Sequence, residues 1–228
     1  MIAAVSTFTC LDTTSKYLAQ HYPVPAIVWA RYVVHMVVMA LVLGPRLGAG
    51  LLRTTNLRLQ LIRGVVLAAS SLVFLSALKL MPLAEAAAIA FMMALYQMMT
   101  SKLAGRDAAL TTLFYPAVIG TALVPLIFPH ELAQPRELLH GALFVLIGVL
   151  GGLGHFLLIR AHDYAPSSVL SPFMYAQLLT ALVLGWVVFR QLPDAIAFAG
   201  MAAIAASGLL LIFGHRRNSV LRNSDPGS

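Results

Sequence analysis

The stretch from Arg160 to Phe189 reads RAHDYAPSSVLSPFMYAQLLTALVLGWVVF. Most of it is apolar enough to cross a bilayer, yet Pro172, Tyr175 and Gln177 lie inside the crossing. Polar groups are costly in the membrane interior, and a proline interrupts the hydrogen bonding of a helix. We therefore interpret this stretch as one wall of a pathway through the membrane.

A similar entry occurs earlier in the chain. Ala77–Pro82 (ALKLMP) aligns with Ala161–Pro166 (AHDYAP), and the two are followed by LAEAAAIAF and SSVLSPF. In both copies a predicted helix ends in a short turn, a proline follows, and a helix of small residues begins. The pattern predicts a repeated helical hairpin.

The composition predicts an integral membrane protein. Of the 228 residues, 60% are hydrophobic and only 10% are charged. A spanning helix needs ~20 mostly apolar residues, and the chain divides into about eight such stretches separated by short polar turns. The predicted fold class is therefore all-α, a polytopic helix bundle in the membrane.

The net charge of +7 lies in the turns between apolar stretches, so it forms no continuous basic face and predicts no nucleic-acid partner. The positive-inside rule explains the position of these charges better than a nucleic-acid partner does. It predicts that both termini are cytoplasmic, because ten basic residues then lie inside and four outside. The inner set is Arg46, Arg53, Arg58, Arg63, Lys102, Arg106, Arg160, Arg216, Arg217 and Arg222, and the outer set is Lys16, Lys79, Arg136 and Arg190. The two hairpins are then inverted, as in secondary transporters with a site at the repeat interface.

The residues argue against several kinds of chemistry. Cys10 is the only cysteine, so no internal disulfide or CxxC zinc site can form. His130-Glu131 begins an HExxH zinc motif, but Gln134 occupies the position of the second histidine. We expect no catalytic residue, no metal and no cofactor.

Two predicted helices carry candidate polar residues. Arg31 and His35 lie one turn apart on the second helix. Arg31 either extends towards the outer surface or bonds to a neighbouring helix, or it contacts substrate or a proton. His155 lies one turn after Gly151, beside a close-packing face formed by Gly148 and Gly152. It either forms an interhelical hydrogen bond or lines the pathway.

The quoted stretch supplies two further candidates. At 100° per residue, Ser171 and Tyr175 are about 40° apart, whereas Gln177 is about 200° from Tyr175. Ser171 and Tyr175, not Gln177, are therefore predicted to face the central cavity. The complete predicted substrate-binding set is Arg31, His35, Tyr96, His155, Ser171 and Tyr175.

Several runs along nearly the whole chain resemble the EamA-like permeases of the drug/metabolite transporter superfamily. They are DTTSKYL from Asp12, WARY from Trp29, PLAEAAAIAF from Pro82, LFY from Leu113, GGLGHFLLIRA from Gly151, APSSVLSPFMYAQ from Ala165, and Gly185-Trp186 with Leu192-Pro-Asp194.

The resemblance implies a bundle similar to ten-helix proteins made of two inverted five-helix halves. Here the sequence runs from Phe91 through two methionines into Ala94-Leu-Tyr-Gln97, and this last run resembles the end of the sixth helix of the family. We therefore expect about two crossings to be missing, and Leu83 to Leu103 to form one spliced helix. The predicted division is an incomplete first repeat over 1–91, a second repeat over 92–214 and a disordered cytoplasmic tail over 215–228.

The resemblance favours a secondary transporter or exporter of a small metabolite, such as an amino acid, a vitamin or a nucleotide-like compound, in the cell inner membrane. The alternative is a shortened membrane protein that does not transport by itself or acts as a partner subunit. The expected partners are the substrate, the lipid bilayer and, as an open alternative, a second copy of the chain.

The predicted threading places the loop around Arg58 inside and the segment from His130 to His140 outside. Reporter fusions made after Arg58 and after Gln134 should therefore show opposite sidedness, measured by activity of a reporter that works on only one side of the membrane. The same sidedness at both positions would contradict the threading.

Overall fold

A computed structural model describes residues 1–80, 95–96, 98–100, 102, 107–165, 167–170, 173, 176–190 and 199. Within these residues the chain is helical, with no strand. The helices are α1 (Ile2–Leu18), α2 (Val24–Leu47), α3 (Leu57–Leu80), α4 (Ala109–Ile127), α5 (Leu138–Tyr164), the single turn α6 (Ser167–Leu170) and α7 (Ala176–Phe189). A 3₁₀ turn, Gly48–Leu52, joins α2 to the loop before α3.

Four of the described helices are long and apolar enough to cross a membrane: Val24–Val42, Leu57–Ala77, Leu110–Ile127 and Leu138–Tyr164. A shorter apolar helix covers Leu179–Phe189. The predicted fold class, an all-helical polytopic membrane bundle, is confirmed. The spliced helix predicted over Leu83 to Leu103 and the tail over 215–228 lie outside the described residues, except for a few helical positions around Tyr96.

Prolines and glycines set several helix ends. Pro23 is extended before α2, and Pro25 occupies its first turn, where a missing N–H costs no hydrogen bond. Gly48 follows α2 with a φ of 48°, a conformation that favours glycine. Helix α5 ends at Tyr164, and Ala165 after it has an extended backbone that suits a residue before proline.

Two prolines inside α4 each free a backbone carbonyl for a neighbouring helix. Pro116 and Pro125 have no N–H to donate to Thr112 and Thr121, four residues earlier. The Thr121 carbonyl instead accepts a hydrogen bond from Trp29 Nε1 of α2 at 3.1 Å. The Thr112 carbonyl accepts one from a side chain of α3. The prolines thus allow α4 to accept hydrogen bonds from side chains of α2 and α3.

The helices pack as a bundle in which several neighbours run in the same direction, as α2 and α5 do. α1 lies against α5 and α7, α2 lies against α4 and α5, and α3 lies against α4. The connection between α1 and α2 is held to the opposite loop by Tyr22, whose hydroxyl accepts from the Arg136 amide at 3.0 Å and lies 3.1 Å from His140 Nδ1. The largest apolar cluster is buried between these helices and includes Leu18, Ile27, Val28, Tyr32, Leu67, Val124, Phe144 and Ile147.

Small residues of α5 determine how closely α2 approaches, as the Gly148 and Gly152 spacing predicts. A Cβ built on Gly148 would overlap Val34, and one on Gly152 would lie 3.0 Å from His35 Cδ2. In a membrane, where burial from water does not drive helix association, such close backbone contact is a main source of stability. The close-packing face predicted from the sequence is confirmed.

We predict that Gly148→Ala lowers the free energy of unfolding by about 1–3 kcal/mol, the usual range for overpacking. The Val34 Cβ is fixed to its backbone, so it cannot move aside without shifting α2. The measurement is the thermal unfolding midpoint in detergent.

Gly141→Ala, on the same helix as Gly148, is the matched control, because its added Cβ would meet nothing closer than Pro135 at 3.9 Å. It should be neutral or slightly stabilising, since alanine favours helix over glycine. Equal effects of the two substitutions would contradict the packing argument.

Candidate functional site

Polar side chains from three described helices and from Tyr96 converge on one small cavity in the bundle. Its lining combines apolar residues with two arginines, two histidines and two tyrosines: Arg31, Tyr32, His35, Arg63, Tyr96 and His155. The free space is about that of one water molecule. The bundle is therefore closed around these groups, and a metabolite could occupy them only after the helices move apart.

Arg31 points into the bundle, so the interpretation that it extends towards the outer surface is wrong. Its guanidinium donates to Ser71 Oγ of α3 and to Tyr32 Oη, the latter at 3.3 Å. Tyr32 Oη and Ser71 Oγ are themselves 3.1 Å apart. Arg31 therefore joins α2 to α3, and it also lines the cavity. The two remaining interpretations of this residue, interhelical bonding and a position in the pathway, are compatible.

Arg63 is fully buried, although the sequence analysis placed it among the cytoplasmic loop charges. It is about 9 Å along α3 from Leu57, at 1.5 Å per residue. Its Nη1 donates to the Thr112 carbonyl at 2.6 Å, which is free because of Pro116. This correction leaves nine inner against four outer charges, so the predicted sidedness is unchanged.

The remaining hydrogen bonds of Arg63 go to neutral side chains. Its Nε donates to Thr100 Oγ1 at 2.9 Å, Nη1 donates to Gln60 Oε1 at 3.1 Å, and Nη2 donates to Tyr96 Oη at 3.0 Å. The guanidinium also lies over the Tyr96 ring, 4.9 Å from its centroid. Such interactions position a buried cation but do not neutralise its charge.

The tyrosine and the histidines complete the wall. Tyr96 Oη lies 3.3 Å from His155 Nδ1, and the His155 ring packs edge-on against Phe8 of α1. His155 therefore forms an interhelical contact and lines the cavity, which unites the two alternatives for this residue. His35 lies on the same cavity with its Nε2 3.2 Å from Met39 Sδ.

A second small cavity lies on the other side of Arg31. It is lined by Asp12, Ser15 and Ser71, among others. Asp12 and Lys16 lie one turn apart on α1 but form no ion pair, and the Lys16 amine lies over the Phe189 ring, 5.1 Å from its centroid. Arg31 thus separates a carboxylate on one side from the Arg63 cavity on the other.

Asp107, before the start of α4, is linked to the buried Arg63 through one side chain, that of Gln60. Its carboxylate accepts from the Thr54 hydroxyl, from the Thr55 amide and hydroxyl, and from Gln60 Nε2 at 2.9 Å. Partial burial by itself would raise the pKa of Asp107, but these hydrogen bonds lower it from 3.8 to about 2. Since Gln60 Oε1 accepts from Arg63, one amide links the surface carboxylate to the buried guanidinium.

Four of the six predicted site residues therefore meet at one cavity: Arg31, His35, Tyr96 and His155. Ser171 and Tyr175 lie outside the described residues, and their placement stays a prediction. Arg63 and Gln60 were not among the residues predicted for the site. The sequence contains a signal for the burial of Arg63. Arg63 shares a helix face with the polar Ser70, seven residues on, and Pro116 leaves the carbonyl of Thr112, four residues earlier, free to accept a hydrogen bond.

An apolar groove of about 330 Å³ opens beside this cavity, between α2, α4 and α5. It is lined by Val38, Leu110, Val149 and Phe156 among others, and His35 belongs to both the groove and the cavity. Gly148 and Gly152, which permit the close contact of α2 with α5, also line it.

A family comparison agrees with this architecture. The EamA-like transporter family matches residues 86–214, more than half of the chain. The chain belongs to the EamA-like transporter family. No solved structure matches this EamA-like chain.

Curated relatives are named as transporters of small molecules. The chain is 25% identical over 131 residues to an S-adenosylmethionine uptake transporter of Rickettsia bellii, covering 58% of this chain and 44% of the relative. It is 28% identical over 118 residues to a riboflavin transporter of Vibrio cholerae, covering 52% of this chain and 40% of the relative. The chain spans less than half the length of the curated relatives it matches.

We predict that Asp107→Asn lowers the free energy of unfolding by about 1 kcal/mol at neutral pH, a value reduced by solvent screening of a partly exposed carboxylate. The sign follows from the lowered pKa of Asp107, because the folded state holds the ionised form more firmly than the unfolded state does.

The contribution of Asp107 should be constant above pH 4 and decline as the pH falls from about 4 to about 2, through the lowered pKa. The measurement is the difference in unfolding midpoint between the wild type and Asp107→Asn across this range. A difference that grows on acidification would show that Asp107 does not act as a stabilised carboxylate.

Proposed function

We propose that this EamA-like chain is a secondary transporter that moves a small metabolite across the cell inner membrane. The observation that carries the proposal is the convergence of Arg31, His35, Tyr96 and His155 on one cavity inside an apolar bundle. Polar groups are expensive inside a membrane, and their collection at one point is typical of a substrate or ion pathway. The names of the relatives support a metabolite such as a nucleotide-like compound or a vitamin.

The closed cavity corresponds to an occluded state in this proposal. Substrate would enter when α2 separates from α5, since the cavity residues Arg31 and His35 lie against Gly151 and Gly152 there. Ser171 and Tyr175 would complete the polar wall from the second repeat. Repeats over 1–91 and 92–214, with both termini cytoplasmic, would place the site at the interface of an inverted pair.

The alternative is a protein that folds in the membrane without transporting by itself, either a shortened paralogue or a partner subunit. One observation favours it: the free space in the cavity is about that of one water molecule. Purified chain in proteoliposomes separates the two functions. Saturable uptake of riboflavin, S-adenosylmethionine or an amino acid would support transport, and a folded protein without uptake of any of these would support the alternative.

We predict that Tyr96→Phe raises the apparent KM for uptake about tenfold, which corresponds to about 1.4 kcal/mol. The hydroxyl accepts from Arg63 at 3.0 Å, so its loss frees a donor of a buried cation and changes the wall of the cavity. The measurement is initial uptake rate against substrate concentration in proteoliposomes.

Tyr164→Phe is a matched control, because its hydroxyl also accepts from an arginine, Arg160, at 3.0 Å, but at the surface. It should leave KM within about twofold. If Tyr96→Phe lowers thermal stability while KM is unchanged, Tyr96 is structural and the cavity is not the substrate site.

A further inference from the structure

Two permanent cations line the central cavity. Arg31 belongs to α2 and Arg63 to α3, and both guanidiniums are charged at any physiological pH. In the part of the chain that the structure describes, the only ion pair is between Arg160 and Asp163, on the surface. Neither cavity arginine therefore has a carboxylate within 4 Å among these residues.

Two acidic residues, Asp12 and Asp107, approach the arginines, and neither lines the central cavity. Asp12 lines the neighbouring cavity with Arg31, and Asp107 reaches Arg63 only through the amide of Gln60. Each carboxylate approaches from outside the central cavity. Among the described residues that line the central cavity there are two arginines and no aspartate or glutamate.

The arginines differ in the donors that they leave free. Arg63 uses its Nε and both terminal nitrogens for neighbours: Thr100, Gln60, the Thr112 carbonyl and Tyr96. Arg31 donates to Tyr32 and Ser71 through Nη2 alone. Within the described residues, its Nε and Nη1 have no acceptor. Each of these nitrogens can donate a single hydrogen bond to an oxyanion, whereas either two-point edge of the guanidinium would also need Nη2, which already donates to Tyr32 and Ser71.

We propose that this cavity binds an oxyanion group of the substrate, a carboxylate or a phosphate. This inference rests on the proposed transport function and names the chemical class of its substrate. Arg31 supplies one positive charge and the two donors Nε and Nη1, and Arg63, held in place by its neutral acceptors, supplies the second positive charge. The bound anion offsets the cost of holding two cations at membrane depth. It also requires α2 to move, because the closed cavity holds about one water molecule.

Inorganic phosphate and acetate are suitable probes, since they represent the two sources of an oxyanion without the rest of a substrate. The full chain in detergent is titrated with each at constant ionic strength, with chloride as the replaced ion, and the unfolding midpoint is measured. A specific ligand gives a saturable rise. General stabilisation by phosphate does not saturate and affects all variants equally. A rise with phosphate alone, or with acetate as well, identifies the group that the site prefers.

Arg31→Gln should raise the Kd of the stabilising probe at least tenfold, and Arg31→Lys should recover only part of the affinity because it keeps the charge without the Nε and Nη1 donors. Arg160→Gln, a surface arginine with a salt bridge, is the control and should change Kd less than twofold. Arg31 is the residue chosen for substitution because removing it breaks fewer internal hydrogen bonds than removing Arg63 would. No saturable rise in the wild type, or an unchanged Kd in Arg31→Gln, overturns the proposal.

The same variants in proteoliposomes distinguish failure of this inference from failure of transport. Uptake that is saturable in the wild type and unchanged in Arg31→Gln would leave transport standing and refute the oxyanion site. Arg31-dependent binding of phosphate or acetate in a chain without uptake would support the oxyanion site and count against transport.

Discussion

The buried guanidinium of Arg63 constrains the arrangement of everything around it. A permanent cation inside an apolar bundle requires acceptors on several sides, because each unpaired donor would cost free energy. Here those acceptors come from its own helix, from α4 and from the segment around Tyr96. The Thr112 carbonyl is available only because Pro116 cannot donate to it. One proline, one arginine and one tyrosine therefore fix the relative positions of three parts of the chain.

The contact between α2 and α5 follows a different principle. Gly148, Gly151 and Gly152 give α5 a flat side, and Val34, Arg31 and His35 of α2 lie directly on its backbone. Close packing of this kind stabilises helices in lipid without any polar group. The same packing brings Arg31 and His35 next to His155, and this placement needs no polar contact between α2 and α5. The polar cavity is thus closed on one side by hydrogen bonds and on the other by shape alone.

This asymmetry is relevant to movement in a transporter family. The side closed by Arg63 has several directional bonds that must break together, whereas the side closed by glycines can separate with loss of dispersion contacts only. The apolar groove between α2, α4 and α5 borders that same side. In the proposed transport function, the wall closed by glycines would open while the wall around Arg63 stays closed, as alternating access requires.

Much of the architecture was determined by the sequence alone. The length of the apolar stretches predicted a polytopic helical bundle, and the glycine spacing in α5 predicted its close-packing face, because both depend on local pattern and on the solvent. Arg31, His35, Tyr96 and His155 could be chosen from sequence because polar side chains in apolar helices need a reason. Only the tertiary structure decided that these four meet, that Arg31 turns inward, and that Arg63 is a buried residue instead of a loop charge. A charge near a helix end can extend to the surface or turn into the bundle. The choice depends on acceptors that other helices supply, here the Thr112 carbonyl and Tyr96, which are far from Arg63 in the sequence.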